Sequence, residues 1–388
     1  MADFVDGNRV TLLRCGVEYF PAITAAFDAA QREIHVETYI FESDGTGRGI
    51  AAALMRAARR GVATHLLVDG FGSKGLDRRL VGEMREAGVR FLVYRPDIAA
   101  WALRRARLRR LHRKIVVVDG RVAFVGGINI LDDFDPPGAA SPRFDYAVRV
   151  EGPLVGRIRA TVKRLWALVN ATRLRARLPL SEDFEPPAAF PGGQRAALVV
   201  RDNVGHRRDI EQAYLDAIGG ARSEILIANA YFFPGITCRH ALMDAAARGV
   251  RVVLLLQGRV EYVLQHYASR ALYGSLLDAG IEIHEYGKSY LHAKVAVVDR
   301  HWATVGSSNI DPFSLLLARE ANVVVEDEAF ADELRRSLLD AIADGARQVR
   351  RERWADQPWT TRVFTWSCYG LARFLTGMFA YGSAGEFT

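Results

Sequence analysis

One pattern occurs twice in this 388-residue chain, and it constrains the fold more than any other feature. A histidine is followed by one residue, a lysine, four residues, an aspartate, six residues, a glycine, two residues and an asparagine. The first copy uses His112, Lys114, Asp119, Gly126 and Asn129; the second uses His292, Lys294, Asp299, Gly306 and Asn309. From the composition, even one chance match to the histidine, lysine and aspartate spacing is expected only ~0.01 times in a chain of this length. The surrounding sequence repeats as well. Arg32 to Gly70 and Ser223 to Gly258 each read as strand, loop, helix and strand, with the helix closing at an Arg-Gly-Val turn. The chain is therefore a duplication. The glycines Gly61 and Gly249 are offset by 188, and the motif histidines by 180. The first copy thus carries eight extra residues, coinciding with the basic stretch WALRRARLRR at 101–110.

These landmarks divide the chain into a first domain, 1–177, a Pro-rich and acidic linker, 178–194, a second domain, 195–346, and a basic then apolar tail, 347–388. The length and an apolar content of 50% with mean hydropathy near zero fit well-buried globular cores. Cys15, Cys238 and Cys368 are far apart, which supports neither a disulfide framework nor a thiolate metal site. The N-terminal residues show no signal-peptide pattern, so a cytoplasmic body is expected. Only five of 52 basic residues are lysines, two of them in the motifs, and the net charge of +7 suits a polyanionic partner, either nucleic acid or an anionic membrane.

The apolar runs after each motif lysine read as buried strands, whose two-residue alternation puts His112 with Lys114, and His292 with Lys294, on one face. Lysine is a compact phosphate ligand and asparagine supplies amide donors. No acidic or histidine cluster has metal-ligand spacing, so no metal and no cofactor is expected, and charge on a phosphorus centre would meet lysine and hydrogen bonds instead. Displacement at phosphorus needs a nucleophile on one side and an acid on the other, which two histidines facing across a pseudo-two-fold axis can supply. Asp145 and Glu320, each on the strand after a motif, are the candidates to orient the rings. Glu37, in the first strand of the repeat, is either a further residue pointing into the site or a charge at the strand's end, two readings of equal weight.

At these residues the chain resembles the phospholipase D superfamily, whose signature is this motif carried twice, and within it the bacterial cardiolipin synthases; YFFPG, HWATVGSSNIDPFSLLLAREANVVV and LHRKIVVVDGRVAFVGGIN carry the likeness, which covers roughly 7–345. The resemblance implies two α/β/α sandwich domains with a site at their junction. It also implies phosphatidyl transfer from phosphatidylglycerol to a second phosphatidylglycerol, with release of glycerol through a phosphohistidine. In it the motif aspartates Asp119 and Asp299 brace the catalytic set, His112 is the nucleophile and His292 the acid and then the base. Simple hydrolysis, an aminoalcohol phospholipid donor and a metal-independent nuclease are the enzymatic alternatives, and a non-catalytic membrane tether is the third class; nucleic acid is the less favoured partner. The expected location is the cytoplasmic face of the inner membrane, as a peripheral protein. Arg104, Arg105, Arg107, Arg109 and Arg110 would attract anionic lipid. In the tail, a stripe of Arg362, Thr365, Tyr369, Arg373 and Thr376 lies opposite Phe364, Leu371, Phe374, Leu375 and Met378, the pattern of a helix in the membrane interface; docking on the protein's own core is the competing reading.

Overall fold

The computed structural model describes residues 2–96, 109–134, 141–174, 191–202, 205–311, 314 and 318–381. Residues 101–108 of the basic insertion, with Arg104, Arg105 and Arg107, and residues 178–190 of the linker lie outside the described residues. The first half contributes strands β1 (Val5–Arg14), β2 (Glu33–Thr38), β3 (Ala63–Asp69), β4 (Arg90–Tyr94), β5 (Lys114–Val118), β6 (Val122–Gly126) and β7 (Tyr146–Glu151). The second contributes β8 (Gln194–Arg201), β9 (Glu224–Asn229), β10 (Arg251–Gln257), β11 (Glu282–Tyr286), β12 (Lys294–Val298), β13 (Trp302–Gly306) and β14 (Glu320–Glu326), followed by β15 (Ala346–Gln348).

The duplication is visible in the strand order. One half runs β1-β7-β6-β5-β2-β3-β4 and the other β8-β14-β13-β12-β9-β10-β11, and the two join where β1 pairs antiparallel with β8. A pseudo-two-fold axis therefore passes between β1 and β8, and one sheet of fifteen described strands crosses both halves. Helices Leu154–Leu174 and Glu328–Gly345 cover one face over a core shared by both halves, in which Val155 and Ile158 meet Val117 and Val148, and Leu334 and Leu338 meet Val297 and Val305. On the opposite face, helices Cys15–Ala29 and Gly45–Arg59 close the first half, and Asp209–Gly220 and Ile236–Ala247 the second. This is the α/β/α layering that the family resemblance implies. Strands β5 and β12, KIVVV and KVAVV, are buried at every position because helices cover both of their faces.

Local chemistry fixes the repeat boundaries. Asp44 caps its helix by accepting from Gly47 N at 2.8 Å, and the helices of both repeats end at glycines with positive φ, Gly61 at 91° and Gly249 at 88°. Strand β15 extends the sheet at the edge of β11, so the residues just past 346 begin as sheet rather than as tail.

The motif aspartates sit in the hairpin turns after β5 and β12 with positive φ, 53° at Asp119 and 51° at Asp299. Asp119 accepts from the backbone N–H groups of Gln31, Arg32 and Glu33 at 2.8, 2.8 and 2.9 Å, and Asp299 does the same for Arg222, Ser223 and Glu224 at 2.8, 2.8 and 3.0 Å. Each carboxylate satisfies donors at the start of the neighbouring strand, β2 or β9, that would otherwise be unpaired. Replacing Asp119 by alanine strands those donors and places a Cβ residue without a compensating side chain in the left-handed region. A loss on the order of 3 kcal/mol in urea unfolding is expected; an unchanged unfolding midpoint would show that the turn carries itself.

Candidate active site

Each motif histidine precedes its strand by two residues and is tied to the other half before any side chain is considered. His112 N donates to Arg319 O at 3.0 Å, and Arg319 N returns a bond to Arg110 O at 2.7 Å; His292 N donates to Phe144 O at 2.8 Å, and Phe144 N to Tyr290 O at 2.9 Å. These reciprocal links bring β7 and β14 across the junction. The carboxylates that follow in sequence thereby reach the histidine of the opposite motif. Nδ1 of His112 lies 2.9 Å from Glu320, and Nδ1 of His292 lies 2.7 Å from Asp145. A carboxylate can only accept, so in the neutral ring Nδ1 carries the proton and Nε2 presents its lone pair.

The lysines share the histidine face, as alternation requires. Lys114 and Lys294 are 2% and 0% exposed, and each ammonium donates to the carbonyl of its own motif histidine, Lys114 at 2.6 Å. Burial lowers the Lys114 pKa to about 7 and that of Lys294 to about 8, against the pull of Glu320 and Asp145. Burial also pushes the Asp145 carboxyl up to about 6, opposed by Lys294, and holds both histidines below their ordinary value, His292 well below it with Lys294 and Lys114 adding to the effect. Charges are concentrated here at a desolvation cost.

Asn129 and Asn309 lie in matching places at the mouth of the two strands. The side-chain oxygen of Asn129 accepts from Ile40 N at 3.1 Å, which leaves its amide hydrogens to donate, while Asn309 Nδ2 is 3.5 Å from Ser314 Oγ. Asp119 and Asp299 are not brought to the histidines. They lie five residues along the strand from the lysines, on the order of 16 Å away at the usual rise, and brace backbone as described above. Glu37 also stays out of the site: it is buried against Arg113, at 2.9 Å from the guanidinium, on the sheet face opposite to His112 and Lys114 because Arg113 is one residue out of phase with them. Among the described residues, no three His, Cys, Asp or Glu side chains converge as a metal site.

Three features escaped the motif. Ser307 donates to Glu320 at 2.5 Å, whereas its counterpart Gly127 has no room for a side chain because a Cβ would strike the Asp145 carboxylate. The readable trace of this asymmetry is GGIN against GSSN. The Tyr39 ring lies 4.8 Å from that of His112 and 5.4 Å from Lys114 Nζ. Beside His292, Glu261 is held by Tyr231 and, at 3.4 Å, by Arg143.

The lysine pKa values fix the sign of a pH effect. A lowered ammonium pKa means that the cation is present below about 7 to 8 and lost above. Affinity for sulfate, whose charge is constant over this range, should fall from pH 6.5 to 9 in calorimetric titration, and should be weak throughout in Lys114→Met. Affinity that is flat to pH 9 would contradict the lysine environments described.

Comparison with known proteins agrees with this geometry. The family described as "Cardiolipin synthase, PLD-like domain" matches residues 23–166 and 214–341, one segment in each half. Cardiolipin synthase B of Salmonella typhi and of Escherichia coli K12 are each 42% identical over 355 residues, 91% of this chain and 85% of the relative. Cardiolipin synthase A of Proteus mirabilis is 31% identical, covering 94% of this chain and 75% of the relative. Among solved structures, the phosphatidylserine synthase of Haemophilus influenzae Rd KW20 superposes with a TM-score of 0.71, covering 95% of this chain and 94% of that one at 12% identity, a likeness of fold. With a family match in both repeats and relatives aligned over nearly its whole length, the chain belongs to the phospholipase D-like cardiolipin synthase family.

Proposed function

We propose that this chain is a cardiolipin synthase that transfers the phosphatidyl group of one phosphatidylglycerol to the glycerol hydroxyl of another. The observation that carries the reading is the crossed pairing of two histidines with two carboxylates around two buried lysines. In the first step His112 Nε2 bonds to phosphorus while protonated His292 gives its Nε2 proton to the departing glycerol oxygen. In the second, neutral His292 takes the proton of the incoming hydroxyl, and the phosphorus–nitrogen bond to His112 breaks. Glu320 and Asp145 hold the rings in line and stabilise whichever becomes cationic, while Lys114 and Lys294, with Asn129 and Asn309, meet the charge on the phosphoryl oxygens. The same duplication supports a domain division ahead of β8, which takes up Gln194, the last residue of the expected linker.

A packed lipid headgroup must also be reached, and the C-terminal helix Trp359–Tyr381 supports a peripheral membrane contact. No described helix is long and apolar enough to cross a membrane. The helix rests on the body through Thr365, Cys368 and Ala372, with Tyr369 against Phe233 and Phe364 against Tyr267. It docks through Thr365 and Tyr369 of the polar stripe together with Cys368 and Ala372 beside that stripe, while Arg362 is exposed. Large apolar side chains point outward instead: Trp359, Val363, Trp366, Leu371 and Phe374 are all at least half exposed. An outward apolar face on a helix already anchored by its small and polar side suits insertion into the lipid interface, at the cytoplasmic leaflet of the inner membrane in our reading.

One experiment tests both parts. Purified protein incubated with phosphatidylglycerol in the presence of chelator should yield cardiolipin and glycerol by mass spectrometry, on vesicles and in detergent alike. Replacing Trp359, Trp366 and Phe374 together by serine should lower turnover on vesicles several-fold and reduce vesicle binding at all salt concentrations. Phosphatidic acid as the main product would make the enzyme a hydrolase, and plasmid nicking without lipid turnover a nuclease. Vesicle binding undiminished in the triple variant would remove the helix from the membrane contact.

A further inference from the structure

The pseudo-two-fold matches the last residue of β3, Asp69, with that of β10, Gln257. Asp69 accepts from Leu111 N at 2.8 Å and Gln257 Oε1 from Leu291 N at 3.3 Å, so each lies against the residue before a motif histidine. Past this point the halves diverge. Beside His112, Ser73 Oγ closes the space by bonding Tyr39 O and Phe41 N, both at 3.0 Å. In the second half the corresponding region is a small recess open to solvent, with a free volume of about 20 Å³, room for a water-sized group, lined among others by Tyr231, Gln257, Glu261, Tyr262 and Ser269.

Two polar groups in this pocket are poised for a ligand. Gln257 is 7% exposed, its oxygen is engaged, and its buried amide nitrogen has no hydrogen-bond partner. A buried donor without a partner is uncommon because desolvation is uncompensated. Glu261 is fixed by the Tyr231 hydroxyl and by Arg143, yet a carboxylate retains further acceptor capacity, and its charge is felt by His292. An amide donor and an anionic acceptor lining one recess complement a hydroxyl, which both accepts and donates.

We infer that this recess is the part of the alcohol subsite that receives the hydroxyl adjacent to the reacting one, first of the glycerol leaving the donor and then of the acceptor's glycerol, through Gln257 and Glu261. The inference rests on the phosphatidyl-transfer reading and on His292 as the acid and base. In the second step the terminal alcohol oxygen bonds to phosphorus, the electron pair of the phosphorus–nitrogen bond returns to His112, and the hydroxyl proton passes to His292 Nε2. The neighbouring hydroxyl meanwhile donates to Glu261 and accepts from Gln257. A monoalcohol leaves both groups unpaired, and a 1,3-diol carries its second hydroxyl one carbon too far.

The test supplies wild-type protein with short-chain phosphatidylglycerol in detergent and equal concentrations of 1,2-propanediol, 1,3-propanediol and 1-propanol, and reads the phosphatidyl products by mass spectrometry. The 1,2-diol should be preferred over 1-propanol on the order of tenfold, the usual effect of one hydrogen bond to a charged group. Glu261→Gln, Gln257→Ala and Ser269→Val, which narrows the pocket from the helix behind it, should each bring the ratio toward one. The ratio is internal to each preparation, so a general loss of rate does not obscure it. Equal transfer to all three alcohols by the wild type, or a preference that survives in the folded variants, overturns the assignment. Absence of any phosphatidyl transfer by the wild type overturns the functional reading instead.

Discussion

The structure depends on an exchange of carboxylates between its halves. Each histidine is supplied by one repeat and oriented by the other: Glu320 serves His112, and Asp145 serves His292. Neither repeat alone holds an oriented histidine. The exchange is enforced by backbone, since Phe144 and Arg319 bond to the residues around the opposite motif and so carry Asp145 and Glu320 across. The continuous sheet through β1 and β8, and the core shared by the helices at 154–174 and 328–345, hold that registration rigid. A site built this way is as precise as the junction between its repeats.

The electrostatics follow from the same enclosure. Two ammonium groups, two carboxylates and two imidazoles share a volume largely closed to water, and burial moves each shifted group toward its neutral form: lysines and histidines downward, Asp145 upward. In the reaction we propose, the negative charge of an entering phosphodiester favours the cationic form of the lysines, and the ring that becomes imidazolium has its carboxylate already in place. Proton transfer at Nε2 is therefore matched by charge at Nδ1 with no rearrangement of the protein.

How much of this was legible depends on whether a feature is local or crossed. The repeated motif, the strand alternation that unites His112 with Lys114, and the helix-ending turns at Gly61 and Gly249 are local, and each could be read directly. Asp145 and Glu320 were identifiable as carboxylates on the strand after each motif, but which histidine each serves is decided by how two repeats meet, which no spacing within one repeat encodes. Glu37 stayed open between two readings because alternation within β2 does not reveal that Arg113, itself out of phase with the motif, captures it from across the sheet. The pattern of the tail helix left interfacial and docked readings open: the body took Thr365 with the small residues Cys368 and Ala372 and left Trp359, Val363, Trp366, Leu371 and Phe374 outward. The pocket at Gln257 and Glu261 lies in a stretch where the repeats no longer resemble each other, and only superposing their folds exposes it.

The central claim is that one histidine stores the phosphatidyl group while its partner, oriented from the opposite repeat, handles the protons. Rapid alkaline quenching of enzyme turning over phosphatidylglycerol, followed by peptide mass spectrometry, tests it most directly. The account predicts a lipid-derived phosphoryl adduct on the peptide containing His112 and none on the peptide containing His292. An adduct on the peptide containing His292, or turnover with no adduct on either histidine, would contradict it.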